Sequence, residues 1–263
     1  MSAFRRRLLG AGFLLAAVLL WEIASARMGA RAAVFPPPSA VGATLFAMVA
    51  DGRIVEPLAT TLYRLAAGYG LGLVCAIGLG VAMGHWDAVR RLLEPLVELL
   101  RPVPKAALVP PLMFFLGLGD AMTITVIALG VFFPVLINTI QGVRGVEPEF
   151  LETARTYGVR TSTMLRNIVV PATLPQILAG MQIGLGIGFV LVIIAEMLTA
   201  DGGIGFAVLN TERSFRVKEM YAWVLVLAAT GYTLNGFFVL LRKRVLHWRQ
   251  DYEALQRAAE QQV

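Results

Sequence analysis

Residue types that perform chemistry are scarce in this chain, and their spacing argues against catalysis. Its 263 residues include 2 histidines, His85 and His247, and 1 cysteine, Cys75. No Ser-His-Asp arrangement is present that either histidine would serve, no paired-histidine metal motif, and no phosphate-binding glycine loop followed by Lys-Ser or Lys-Thr. A lone cysteine excludes an internal disulfide framework, and the apolar residues around Cys75 mark an inert thiol. The chain is therefore read as no enzyme, with no metal and no cofactor of its own. Attention moves to polar groups inside apolar segments: Asn138, Gln141, Gln182 and Glu196, with Arg64 beside them. Such groups are costly in hydrocarbon and mark solute pathways, gates or buried ion pairs. Arg64 or Arg213 would lend positive potential to an anion. Glu196 either pairs with Arg213 or Arg216 or acts in gating. Asn138 and Gln141 stand near one end of their segment, where an interface role competes with solute contact. Gln182 faces inward only if the neighbouring glycines do.

These residues must be positioned by long apolar segments. The chain is 57% hydrophobic and 15% charged, with a mean hydropathy of +0.72, where soluble domains carry about 25% charged residues. Apolar runs of about 20 residues match the thickness of a bilayer core. Six spans are expected: from Leu8 through Ile23 to Ala26, Leu65 to Met83, a short one after Ala106 bent at Pro110 and Pro111, Met122 to Gly142, Pro175 to Thr199, and Tyr221 to Leu241. For the first, a cleaved leader is the competing reading, because Ala24-Ser25-Ala26 resembles a cleavage site. Its length and the Trp21-Glu22 pair favour a retained span. Residues 27–63 read as an external loop with a short helix capped by Ser39 and a turn at Asp51-Gly52. Gly68, Gly72, Ala76, Gly80 and Gly84, and later Gly180, Gly184 and Gly188, recur four apart and predict close helix packing.

Between the fourth and fifth spans lies a polar stretch, Glu152 to Pro171, that reads as two short helices. Pro148 suits a first helical position, and Glu149 and Glu152 put negative charge near the dipole's positive end. Phe150, Leu151, Ala154 and Tyr157 form an apolar stripe, and Gly158 sits where a left-handed cap would end the helix. Thr161 or Ser162 caps a second helix that Pro171 stops. A docking module is the functional reading, and a helix packed on the protein's own spans is the competing one. Sixteen of the 23 lysines and arginines fall on the side that holds this module and both termini. The positive-inside rule makes that side cytoplasmic and explains the net charge of +6 without nucleic acid.

The module's spacing also carries a resemblance. Glu152-Thr153-Ala154, three residues to Gly158, nine to Ile168, then Val169-Val170-Pro171 is similar to the Glu-Ala-Ala loop of membrane subunits of binding-protein-dependent ABC importers. Thr153 and Val170 are mild departures from it. Arg101-Pro102-Val103-Pro104, Ala107-Leu108-Val109-Pro110, Phe132-Phe133-Pro134 with Asn138-Thr139, Tyr157-Gly158, Ala195-Glu196-Met197 and Gly203-Ile204-Gly205 resemble the group that imports nitrate, sulfonates and taurine. Phe115-Leu116-Gly117 stands where that group often has Trp-Phe-Gly, and Gln182 where an arginine is common.

The resemblance implies an all-α integral membrane protein of type I ABC importer architecture in a bacterial inner membrane. It divides the chain into an N-terminal span and external loop (1–54), a transmembrane domain of five helices (55–245) with a cytoplasmic coupling loop (144–176), and a cytoplasmic tail (246–263). It further implies a second permease copy, an extracytoplasmic solute-binding protein, and a cytoplasmic ATPase dimer that holds ATP and magnesium. That ATPase would be gripped through Glu152, Ala154, Tyr157, Gly158, Ile168 and Pro171. Pathway or gating roles would fall to Asn138, Gln182, Glu196 and Arg64. An ion-coupled secondary transporter is the rival, although such folds use broken helices in related halves and mid-membrane carboxylates.

Overall fold

The structure, a computed structural model, describes residues 3–27, 34–199 and 201–247, and every regular element among them is helical. In chain order these are α1 (Ala3–Arg27), α2 (Pro38–Ala50), α3 (Val55–His85), α4 (Asp87–Leu100), a 3₁₀ turn (Lys105–Leu108), α5 (Val109–Leu116), α6 (Asp120–Arg144), α7 (Pro148–Thr156), α8 (Thr161–Met164), a π turn (Leu165–Val169), α9 (Val170–Thr199), α10 (Gly203–Arg213) and α11 (Val217–Val245). The tail beyond residue 247 and Arg31 lie outside the described residues.

Four helical stretches are long and apolar enough to cross a membrane: α3, α6, Thr161–Thr199 and α11. Asp87–Leu100 with Lys105–Leu116 passes the same test only as a pair bent by 86°. The expected short third span is therefore one arm of a bent pair. α1, with 25 residues, stands outside that count, and at 1.5 Å per residue its length is about 37 Å.

α6 is the central span, flanked by α3 on one side and α9 on the other. Both neighbours approach it through their glycines. The space a Cβ on Gly72 would occupy lies 2.8 Å from the Ala128 carbonyl oxygen, and that on Gly180 lies 2.7 Å from Asn138 Cβ. Without side chains there, backbones meet closely enough for dispersion contacts to hold helices that lipid would otherwise separate equally well. Val131, Val135, Leu136 and Ile127 fill the remaining space and are fully buried. The Tyr69 hydroxyl adds a bond to the Met181 carbonyl, 2.9 Å away, joining α3 to α9. The packing role expected of these glycines is what the geometry delivers. Replacing Gly72 by valine would drive a branched side chain into the α6 backbone, which cannot step aside. We expect a loss of about 1–3 kcal/mol, read as a lower melting temperature in detergent; an unchanged value would contradict the packing.

Several boundaries differ from the sequence reading. α3 begins at Val55, ten residues before the expected span, so the supposed loop of 27–63 contains a full turn-and-helix entry. α2 starts at Pro38 and not at a Ser39 cap: the Glu22 carboxylate of α1 accepts from the Ser39 N–H at 3.0 Å and from its hydroxyl at 2.7 Å. A residue on another helix thus supplies the cap. Pro171 does not stop the second helix of the module, and Pro175 does not start the fifth span; Thr161–Thr199 runs through both as 39 continuous helical residues. The π turn explains this, since the Val170 N–H reaches back five residues to the Leu165 carbonyl. A widened turn relieves the clash and the missing donor that a proline brings to an ordinary helix. Finally, Gly203–Arg213 is a helix where a polar connection was expected. Ile204, Val208 and Thr211 repeat at i, i+4 and i+7, and Ile204 and Thr211 are buried.

Candidate functional site

Two constellations stand at opposite ends of the α3–α6–α9 core. At the Arg144 end, the module is built on a rigid mount. Pro148 occupies the first turn of α7 and Glu149 sits beside it. The helix closes with a Schellman cap: Gly158 has φ +69°, its N–H donates to the Arg155 carbonyl at 2.9 Å, and the Val159 N–H donates to the Ala154 carbonyl at 3.0 Å. Only glycine enters that left-handed region without cost.

The four-residue stripe does not face one way. Ala154 is 5% exposed and Leu151 half-buried, while Phe150 and Tyr157 are 59% and 82% exposed. Leu151 packs with Leu165, Val146, Val143 and Val169, and Met164 beyond the glycine is buried as well. One side of the module therefore anchors it to the ends of α6 and α9, and the other projects two aromatic rings. Ile168 is half-buried within the π turn, and Pro171 is exposed on α9. The Glu152 carboxylate is exposed, and among the described residues it has no ion-pair partner. No side chain caps α8: the residue ahead of it is Arg160, and Thr161 and Ser162 lie within the helix.

At the Asp120 end, Arg64 and Glu196 meet in a buried polar cluster. Glu196 is fully buried and Arg64 is 3% exposed. The Thr61 hydroxyl donates to the Glu196 carboxylate at 2.9 Å, the Gly205 N–H donates to it at 2.9 Å, and Arg64 Nη1 lies 3.5 Å away. Arg64 Nε also donates to Asp120 at 2.6 Å, and its Nη2 donates to the Asp201 carbonyl at 2.7 Å. Three carboxylates on three different chain segments thus surround one guanidinium, whose forked donors suit such sharing. Thr61 in turn accepts from the Ile204 N–H at 2.9 Å, which seats the start of α10 on α3.

Of the two readings of Glu196 from sequence, a pair with Arg213 or Arg216 and a gating role, the pair is not formed: Arg216 bonds Glu219, and Arg64 takes the buried place beside Glu196. The donors of Arg64 turn to carboxylates and carbonyls of its own chain, so the free positive potential expected of it is spent within the fold. Sequence reasoning missed Thr61, Asp120 and Asp201 altogether. An arginine next to an apolar run demands a counter-charge, and two aspartates at the glycine turns Gly117–Asp120 and Asp201–Gly203 were the available signal.

Of the four pathway candidates, Arg64 and Glu196 come together, while Asn138 and Gln182 stand apart from them and from each other. Asn138 lies on α6 facing α9 and donates to the Pro134 carbonyl at 2.8 Å. Gln182 turns to α11, accepting from Arg242 at 3.0 Å and donating to Asn235 at 3.2 Å. Gly180, Gly184 and Gly188 face α6 instead, so the glycine face and Gln182 point in different directions.

Long spans packed on one central helix, closed by buried charge at one end and bearing a projecting helical loop at the other, describe a polytopic membrane protein. The chain belongs to the binding-protein-dependent transport system inner membrane component family, whose profile matches residues 68–247. A putative aliphatic sulfonates transport permease protein of Bacillus subtilis (strain 168) is 30% identical over 244 residues, covering 92% of this chain and 88% of that protein. The taurine transport system permease protein of Escherichia coli (strain K12) is 29% identical over 245 residues, 90% of this chain and 89% of that one. The MetNI methionine ABC transporter, solved in inward-facing conformations, superposes with a TM-score of 0.61 at 17% identity, over 73% of this chain and 95% of that chain. That likeness establishes the fold: an all-α type I ABC importer permease.

Proposed function

We propose that this chain forms the transmembrane pathway of an ATP-driven importer for a small anionic solute, with sulfonates, taurine and nitrate as the candidates. The observation that carries the reading is the module at 148–171: its anchored inner side and its projecting Phe150 and Tyr157 make a lever with a face left over for a partner. That partner is a separate ATPase dimer, which binds ATP and magnesium and moves the loop as it closes. Two permease copies, most simply identical, enclose the pathway, and an extracytoplasmic solute-binding protein delivers the solute. The spans then alternate between outward-open and inward-open states, with the loop's displacement biasing the two. The lysine and arginine distribution supports a bacterial inner membrane orientation with both termini and the module cytoplasmic.

The energy source tests this reading. Membrane vesicles containing the chain with its genetic neighbours should take up a labelled sulfonate, taurine or nitrate only with ATP on the module's side. Uptake that survives ATP depletion and collapses with the ion gradient would assign the chain to ion-coupled secondary transport instead.

A further inference from the structure

Away from the packed core, α2, the entry to α3 and the 225–234 stretch of α11 enclose an apolar groove of about 410 Å³. Leu45 and Val49 line it from α2, and Ile54, Leu58 and Leu62 from the entry to α3. The only polar side chains among its lining residues are Thr230 and Thr233. Their hydroxyls donate to the Val226 and Ala229 carbonyls of their own helix at 2.8 and 2.7 Å. No side-chain donor is left for an occupant, so what the groove fits is hydrocarbon.

The groove opens on the side of the bundle that faces lipid. α2 carries no charged residue in its 13 positions, and its Phe46 and Val49 are 77% and 60% exposed. Tyr232 and Phe237 on α11 are exposed as well. Its depth matches one leaflet: the rise is about 12 Å from Ile54 to Leu62 and about 14 Å from Leu225 to Leu234, against about 15 Å for half a bilayer core. α1 does not fill it, since Trp21 meets Tyr221 at 5.9 Å between ring centres and no described residue of α1 lines the groove.

Charge is confined to the mouth, where the Asp51–Gly52–Arg53 turn joins Val49 to Ile54. Arg53 is shared between Asp51 at 3.4 Å and Glu219 at 3.2 Å, and the side chains of Arg53 and Asp51 both stay well exposed. Glu56, one turn further on, is exposed, and among the described residues it has no ion-pair partner. One guanidinium flanked by carboxylates is complementary to a head that carries phosphate and ammonium together, and it disfavours a head of net negative charge.

We propose that this groove holds an acyl chain of one outer-leaflet phospholipid, whose ethanolamine head sits at Asp51, Arg53 and Glu56. The chain fills space that protein atoms leave between α2, α3 and α11. The proposal rests on the transport reading above only for which leaflet supplies the lipid.

Native mass spectrometry of the full chain, extracted from membranes and washed in mild detergent, tests it. The wild-type chain should retain phosphatidylethanolamine. Ala229→Phe, which puts a ring into the groove, should lower that occupancy about tenfold, as the loss of two buried methylenes already implies. Val74→Phe should leave it unchanged, because Val74 is exposed on α3 and lines no part of the groove. Should Ala229→Phe fail to accumulate, Leu62→Phe fills the groove from α3 with the same expected loss. Offered phosphatidylethanolamine and phosphatidylglycerol of equal chains, the wild type should prefer the former, and Asp51→Asn with Glu56→Gln should lower that preference at least about fivefold. A wild type that retains no phospholipid, retention that survives filling the groove, an equal loss in Val74→Phe, or a head preference indifferent to the neutralising changes would overturn the proposal. So would a disulfide between two chains carrying Ala229→Cys in a Cys75→Ser background, which would put a second copy in the groove. None of these outcomes bears on whether uptake needs ATP, so the transport reading stands or falls by its own test.

Discussion

Arg64→Gln is expected to destabilise the protein by about 3–5 kcal/mol, because it leaves the fully buried Glu196 carboxylate without its cation. The neighbours of Glu196 do not compensate. The Thr61 hydroxyl and the Gly205 N–H still donate to it, but they are neutral and balance no charge. Asp120 and Asp201 lose their shared partner at the same time, and both belong to turns that link spans. At the scale typical of domains this size the melting temperature would fall by on the order of 10 °C. Thermal stability by fluorescence-detected size exclusion in detergent would measure it. The paired change Arg64→Gln with Glu196→Gln removes both charges and should cost less than the sum of the two single changes by at least about 1 kcal/mol. Additive costs would show that the two side chains do not interact and would dissolve the cluster as a structural unit. The cluster joins α3, α6, α9 and α10, so its loss would loosen the Asp120-side ends of spans that must move as one body if transport is by alternating access.

Gly158→Pro is expected to abolish uptake, by about 10²-fold or more, while the protein still reaches the membrane. Proline fixes φ near −65°, whereas Gly158 sits at +69°, and its N–H bond to Arg155 would vanish as well. The Schellman cap then opens and α7 loses its fixed angle to α8. A lever whose joint is broken transmits no displacement, and an angstrom-scale misplacement is enough for losses of that size in a preorganised contact. Glu152→Arg should match it by another route, reversing an exposed, unpaired charge at the proposed ATPase surface, where a like charge costs several kcal/mol. ATP-driven uptake and surface expression are the paired measurements. Wild-type uptake by either variant would remove the coupling role from the module.

Much of this was legible in the residues. The α6 and α11 spans follow from uninterrupted apolar length, and the close packing of α3 and α9 follows from glycines four apart, though not that α6 is the neighbour of both. Gly158 announced its own backbone angle, because no other residue takes that conformation so cheaply. The misses share a cause, which is that tertiary partners decide what local rules leave open. Pro171 reads as a helix stop until a π turn widens the backbone ahead of it. Ser39 reads as a cap until Glu22 arrives from another helix to do that work. Arg64 reads as a free cation because Asp120 and Asp201 lie 56 and 137 residues away in sequence. Periodicity reports which face is apolar but not which neighbour supplies a counter-charge, so ion pairs across helices stay hidden where spans do not.

The claim on which everything else depends is that the exposed side of the module touches an ATPase. Tyr157 is 82% exposed on that side and takes no part in the mount. A benzophenone-maleimide attached to Tyr157→Cys, in the Cys75→Ser background, can be photo-activated in native membranes and its adducts mapped by mass spectrometry. The expected adduct joins this chain to an ATP-binding subunit, and adducts confined to lipid or to this chain's own spans would contradict the coupling role.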